Sequence, residues 1–137
     1  MVILKKQHLN EMLYHSSQGL PNESCGLLGG IIEGDKKIIQ KVYLLNNIDN
    51  SPEHFSMDIQ EQFKAITDMR KNRWQLLGNF HSHPSSPARP SAEDIRLAFD
   101  PCISYLILSL EQNSNPVLKS FIIKDKNVSL EELIVLE

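Results

Sequence analysis

The sequence predicts an α/β (α+β) fold, a mixed β-sheet flanked by about three helices. Three observations carry that expectation. Short apolar, β-rich runs alternate along the chain with stretches whose apolar residues recur at helical spacing. The 137 residues fit one domain, expected to span residues 1–137 and large enough to bury a core without staples. No repeat, linker or low-complexity tract interrupts the pattern, and strands interleaved with helices favour a mixed sheet.

Val2-Ile3-Leu4 reads as a first strand. A helix follows from about Lys5 to Ser17, with Leu9, Met12 and Leu13 inward, and Gly19 and Pro21 end it. Ser24 to Ile32 is Gly-rich and apolar, a buried strand. Glu33-Gly34-Asp35 supplies the turn into a second strand over Lys36 to Leu45. Asn46 to Pro52 is polar loop. Asp58-Ile-Gln-Glu61 has the form of a capping box opening a helix to about Asn72, with Ile59, Phe63, Ile66 and Met69 as its expected inner face. Gln75 to Ser82 is a strand. The segment Pro84 to Pro90 holds three prolines and forms a stiff loop. Ser91 starts a third, shorter helix that halts near Asp100-Pro101. Ile103 to Leu110 and Val117 to Lys124 are strands, and Val128 to Leu136 is one more.

Composition narrows the function classes. With 41% hydrophobic and 23% charged residues the chain is ordinary for a globular protein. Its net charge of −3 and scattered Lys and Arg give no footprint for nucleic acid. Met1-Val-Ile-Leu-Lys-Lys is too short an apolar run for a signal peptide, and no segment is long and apolar enough to span a membrane. A soluble, cytoplasmic protein is expected. Cys25 and Cys102 form no metal knuckle and are expected to be free and buried.

One stretch is built for chemistry: His81-Ser82-His83-Pro84, followed by Ser91-Ala-Glu-Asp94. On an extended segment residues i and i+2 share a side, so both imidazoles face one point. Asp94, eleven residues after His83, can return to that point across the Pro-rich loop. Two imidazoles and one carboxylate leave a position open on a tetrahedral zinc, the pattern of a catalytic site rather than a closed structural one. Ser91-x-x-Asp94 also reads as a helix capping box, and the two readings are compatible. Upstream, Glu23 precedes the Gly-rich strand. Alone it is a solvated loop acid; beside a metal site it is the base that hydrolysis needs. Gly26-x-x-Gly29-Gly30 does not fit the dinucleotide fingerprint.

Together these residues resemble the JAMM motif of the JAB1/MPN zinc metallopeptidases: a glutamate upstream (Glu23), then His81-Ser82-His83-Pro84, then Ser91-x-x-Asp94. Pro21-Asn-Glu-Ser-Cys-Gly-Leu-Leu-Gly-Gly30 is similar to a segment of the prokaryotic branch. The resemblance implies that His81, His83 and Asp94 hold Zn²⁺, that Glu23 moves protons, and that Ser91 donates to the oxyanion. Ser82 and Pro84 would only shape the turn. It implies hydrolysis of the bond after the C-terminal Gly-Gly of a ubiquitin-like or sulfur-carrier protein, and a curved mixed sheet similar to that of cytidine deaminases. Nothing in it fixes the oligomeric state. His8 and His15 are expected at the surface, and His54, in a polar loop, is given no role.

Three rival readings differ in class. A zinc nucleobase deaminase needs H-x-E and P-C-x-x-C; Pro101-Cys102 is followed by Ile, Ser and Tyr, which excludes it. A non-haem iron enzyme could use the same two histidines and carboxylate but leaves Glu23 without work. A non-catalytic MPN scaffold would typically have lost ligands that this chain keeps.

Overall fold

A computed structural model of the chain describes residues 1–112 and 114–137. The elements run β1 (Val2–Lys5), α1 (Lys6–Gly19), β2 (Cys25–Glu33), β3 (Lys36–Leu45), α2 (Ile59–Lys71), β4 (Gln75–His83), α3 (Ala92–Arg96), β5 (Ser104–Ser109), β6 (Val117–Lys124), β7 (Asn127–Glu131) and β8 (Leu133–Leu136). They form one mixed sheet of eight strands in the order β7-β6-β5-β4-β2-β3-β1-β8. The central β4 is antiparallel to β2 and parallel to β5. The segment after Val128 is therefore two strands, not one. Glu132 separates β7 from β8, which lie at opposite edges of the sheet, so the sheet must curl until its edges nearly meet. Where they meet, Glu131 accepts hydrogen bonds from Ser104 (2.6 Å) and Ser120 (2.8 Å), and Lys37 stands 3.7 Å away.

Each sheet face carries its own core. Met12 of α1 packs with Val2, Leu4, Leu28, Phe80 and Leu106 on one side, with Leu9 and Leu13 against them as the helical spacing predicts. On the other, Ala65 and Met69 of α2 pack with Cys25, Leu27, Tyr43 and Leu45. Gly26 has no room for a side chain: a Cβ there would run into the Phe80 ring and the Tyr43 carbonyl oxygen. Gly34 turns the β2–β3 hairpin with a φ of 63°.

Several expectations need correction. The inner face of α2 is turned away from Ile59 and Phe63, which are 79% and 73% exposed. Small Ala65 lets the helix approach the sheet, and Met69 lies over Gly29, which has no Cβ to block it. Asp58 stands at the N-cap of α2 without a side-chain cap bond. Glu61 instead accepts from the amide (2.9 Å) and the carboxamide (2.7 Å) of Asn46. The third helix ends at Arg96 rather than near Asp100, where the Asp100 side chain binds the Cys102 amide at 2.8 Å and turns the chain toward β5. Cys102 is exposed, while Cys25 is buried as expected. His8 is buried, because its Nδ1 accepts the Lys5 amide (3.1 Å) and closes the start of α1. His15 lies within 2.9 Å of the Leu45 carbonyl oxygen through Nε2 and is half-buried.

Candidate active site

The end of β4 brings the sequence-predicted residues together. His81 and His83 are both buried on one strand face. Their Nε2 atoms are 3.1 Å apart, and each stands 3.1 Å from Asp94 Oδ2. Asp94 is held by the first turn of α3: its Oδ2 accepts the Ser91 amide at 2.9 Å, and Ser91 Oγ accepts the Asp94 amide at 3.0 Å. The capping box read from the sequence is thus present, and its return arm is the carboxylate that faces the histidines. The Pro-rich loop contributes directly, since His83 Nδ1 donates to the Pro87 carbonyl oxygen at 2.8 Å. That bond places the His83 proton on Nδ1 and leaves its Nε2 lone pair for the centre.

Two imidazole nitrogens and a carboxylate oxygen cannot converge this closely on lone pairs alone; a proton or a cation must lie between them. Burial alone would raise the Asp94 pKa, but hydrogen bonds with His81 and His83 outweigh it and hold the carboxyl well below the usual carboxylate range. At His83 burial opposes the charged ring, yet the bonds to Asp94 and Pro87 leave its pKa above the ordinary value. Tetrahedral zinc with N and O ligands at about 2.0–2.1 Å sets its donors about 3.3 Å apart, close to the separations here. These three residues are also the ones whose ligand atoms cluster tightly enough to hold a metal ion among the described residues.

Glu23 sits just before β2 and is 6% exposed. Its Oε1 has no hydrogen-bond partner among the described residues. Burial pushes its pKa up to about 8, with His83 pulling it down and Asp94, Glu93 and Glu53 pushing it further up. Its backbone is clamped on both sides: the amide donates to Ser51 O at 2.9 Å and the carbonyl accepts from Asn47 Nδ2 at 3.0 Å. The next residue is stapled to the histidine strand, because Ser82 Oγ accepts the Ser24 amide at 2.8 Å and the Ser82 amide donates to Ser24 O at 2.9 Å. Ser82 therefore does more than shape a turn.

A cleft of about 430 Å³ opens onto the cluster, walled by Phe55, Met57, Asn79, Asp94, Leu97 and Phe99 among others. A smaller polar cleft of about 270 Å³ lies against Glu23, Asn22, Asn47 and Asn50. Sequence reasoning gave no role to three contributors here. Phe55 stacks on His81, with centroids 4.6 Å apart and planes at 21°, and holds a ring whose Nδ1 has no partner among the described residues. His54 pairs with Glu93 at 2.6 Å across the cleft mouth. Asn47 ties its loop together, its Oδ1 accepting from the amides of Asp49 (3.0 Å) and Ser56 (3.1 Å). No spacing rule reports such contacts, because the 46–58 loop meets β4 only through the fold.

The sequence profile of prokaryotic homologs of the JAB domain matches residues 5–123. The CysO-cysteine peptidase of Mycobacterium tuberculosis is 28% identical over 137 residues, covering all of this chain and 92% of its own. A desampylase of Pyrococcus furiosus is 32% identical over 115 residues, 84% of this chain and 76% of its own. Among solved structures, a Desulfitobacterium hafniense protein is 60% identical with a TM-score of 0.93, over all of this chain and 94% of that one. An Archaeoglobus fulgidus JAB1/MPN domain protein, at 23% identity and a TM-score of 0.65 over the full length of both chains, shares the fold. The chain therefore belongs to the prokaryotic JAB-domain family, with a JAB1/MPN fold.

Proposed function

We propose that residues 1–137 form one cytoplasmic JAMM-type zinc metallopeptidase domain. It hydrolyses the bond after the C-terminal Gly-Gly of a ubiquitin-like, sulfur-carrier-type protein. Relatives named CysO-cysteine peptidase, desampylase and probable TtuB-protein conjugate cleaving protease support the reaction class. The observation that carries the reading is the convergence of His81, His83 and Asp94 at 3.1 Å, with a buried carboxyl, Glu23, whose proton affinity responds to two of them.

His81 and His83, through Nε2, and Asp94, through Oδ2, would hold the Zn²⁺. When bound, zinc polarises the scissile carbonyl and acidifies water. Glu23 takes the proton of the attacking water and hands it to the leaving amine. One C–O bond forms, the C–N bond breaks, and the base is restored. Burial raises the proton affinity of Glu23, which helps a carboxyl that must hold a proton before passing it on. Ser91 Oγ already accepts the Asp94 amide, which leaves its own proton to donate to the carbonyl oxygen as charge develops there. Pro87 fixes the tautomer of His83, and Phe55 fixes the plane of His81.

The test is Glu23→Gln assayed on a Gly-Gly-terminated carrier bearing a C-terminal adduct, with products read by mass and metal content by elemental analysis. The variant keeps its zinc and its fold and loses about 10²–10⁴-fold in turnover. Undiminished cleavage by it overturns the mechanism. Iron in place of zinc in the wild type returns the iron-enzyme reading, and no cleavage across a panel of carriers returns the scaffold.

A further inference from the structure

Ile59 and Phe63, which hydrophobicity alone would bury, leave 79% and 73% of their surface in solvent. Residues three and four apart on a helix are neighbours, so Ile59, Gln62 and Phe63 share one side of α2. Gln62, with Met57 just before the helix, lines the cleft that opens onto the His81–His83–Asp94 cluster. The two exposed side chains therefore border the mouth of that cleft. Leu97 and Phe99 also line it from the α3 side and are exposed, Phe99 to 83%. Single exposed apolar residues are ordinary, but four large ones gathered at one opening mark a surface that a partner covers. Charge narrows the choice of partner. The cleft lining holds Glu53, Glu93 and Asp94 and no Lys or Arg. Glu93 meets His54, whereas Glu53 and Asp58, the latter next to Ile59, have no ion-pair partner among the described residues. Lys64 turns to a separate groove with Lys41 and Asp68, and Arg70 lies two turns beyond Phe63 along α2.

Building on the peptidase reading above, we infer that this mouth docks the folded body of the ubiquitin-like carrier, through an apolar face of the carrier edged by basic side chains. The surface is continuous with the cleft. A tail whose end reaches the cluster fills the cleft, so the domain bearing that tail rests at the mouth, against Ile59 and Phe63 on α2 and against Leu97 and Phe99 opposite. A second copy of this chain fits less well for two reasons. A symmetric contact through the same patch would set Glu53 and Asp58 against the partner copy's own acids, and it would cap both clefts and shut substrate out. The acidic edge speeds encounter with a basic partner, and burial of the apolar side chains holds it. Such a contact is equally strong before and during reaction, so it lowers KM and leaves kcat alone.

The experiment compares wild type and Ile59→Ala/Phe63→Ala on two substrates. One is an intact ubiquitin-like carrier from the same genome with a C-terminal adduct, and the other is its tail alone, as a free peptide with the same adduct. Calorimetric affinity for the carrier, zinc content, melting temperature and sedimentation are read on the same preparations. Wild type should prefer the carrier by about 10–100-fold in kcat/KM. The double variant should lose most of that preference through KM. Its peptide turnover, zinc and melting temperature should stay unchanged, because both side chains are exposed and alanine suits a helix. Raising the salt concentration should shrink the wild-type preference. An undiminished preference in the variant overturns the inference. Equal losses on carrier and peptide also overturn it, since the residues would then serve the cleft itself. A preference that ignores salt overturns the basic partner, and a wild-type dimer that the substitutions dissociate gives the patch to a second copy instead. If wild type cleaves neither substrate, the peptidase reading falls and calorimetry decides on docking: carrier affinity weakened about tenfold by the substitutions keeps it, and equal affinity or no binding ends it.

Discussion

Replacing Ser82 by alanine tests whether the position of Glu23 is set from the histidine strand. Ser82 is fully buried, Ser24 is 4% exposed, and the Ser24 amide has Ser82 Oγ as its acceptor at 2.8 Å. Ser82→Ala removes that acceptor and leaves a buried N–H unpaired, at a cost of about 1–3 kcal/mol. Unfolding entropy of about 2.1 cal/mol/K per residue gives a chain of this size about 0.3 kcal/mol per degree, so the melting temperature should fall by about 3–10 °C. The kinetic effect follows from geometry. Glu23 keeps its own anchors to Ser51 and Asn47 but loses the staple on its neighbour. A displacement of about 1 Å in a reacting group can remove 10²-fold in rate, so kcat should fall by about 10–100-fold with zinc content unchanged. Differential scanning fluorimetry, elemental analysis and steady-state rates on one preparation separate the effects, and Ser82→Thr, which keeps the hydroxyl, is the control. A lower melting temperature with wild-type kcat would show that the staple supports the fold without aiming Glu23.

Three further outcomes are expected. His81→Ala/His83→Ala should lose zinc by elemental analysis, and stoichiometric retention would disprove the ligand assignment. Ser91→Ala should cost about 1 kcal/mol of stability as a lost cap, and about 10²–10³-fold in kcat if the hydroxyl also serves the oxyanion; stability loss alone leaves only the cap. Glu23 has a folded pKa raised from 4.5 to about 8, so the folded state holds this proton more tightly than the unfolded one. Its contribution is fully present below about pH 4.5 and is lost as pH rises through about 8. In chelator, Glu23→Gln should therefore gain in melting temperature relative to wild type as pH climbs from 4.5 to 8.5, and a flat difference would refute the burial argument.

Much of the fold was legible because β3 and β6 match their apolar runs and Met12 fixes the inner face of α1. The site was legible for a local reason: two of its parts are an i, i+2 pair on a strand and a capping box, whose geometry belongs to the segment itself. What escaped depends on distant partners. Ile59 and Phe63 look inward by hydrophobicity, but the space beneath α2 is set by Gly29 on another strand. Leu130 and Leu133 lie within the single strand expected over Val128 to Leu136, and only the curl of the sheet sends them to opposite edges.

The curl of the sheet also sets an order of events in time. β1 lies between β3 and β8, and its pairing with β8 joins Val2 to Leu133 and Lys5 to Leu136. Almost the whole chain lies between those partners, which makes this the slowest kind of contact to close. On a ribosome, β2, β3 and β4 can pair while later residues are still being added, but one side of β1 stays open until residues 133–136 emerge. His81, His83, Asp94 and Glu23 belong to the part that can assemble early, whereas the seam at Glu131 comes last. A nascent chain could thus present a formed site while one strand remains a sticky edge, and in that interval aggregation competes with completion of the fold.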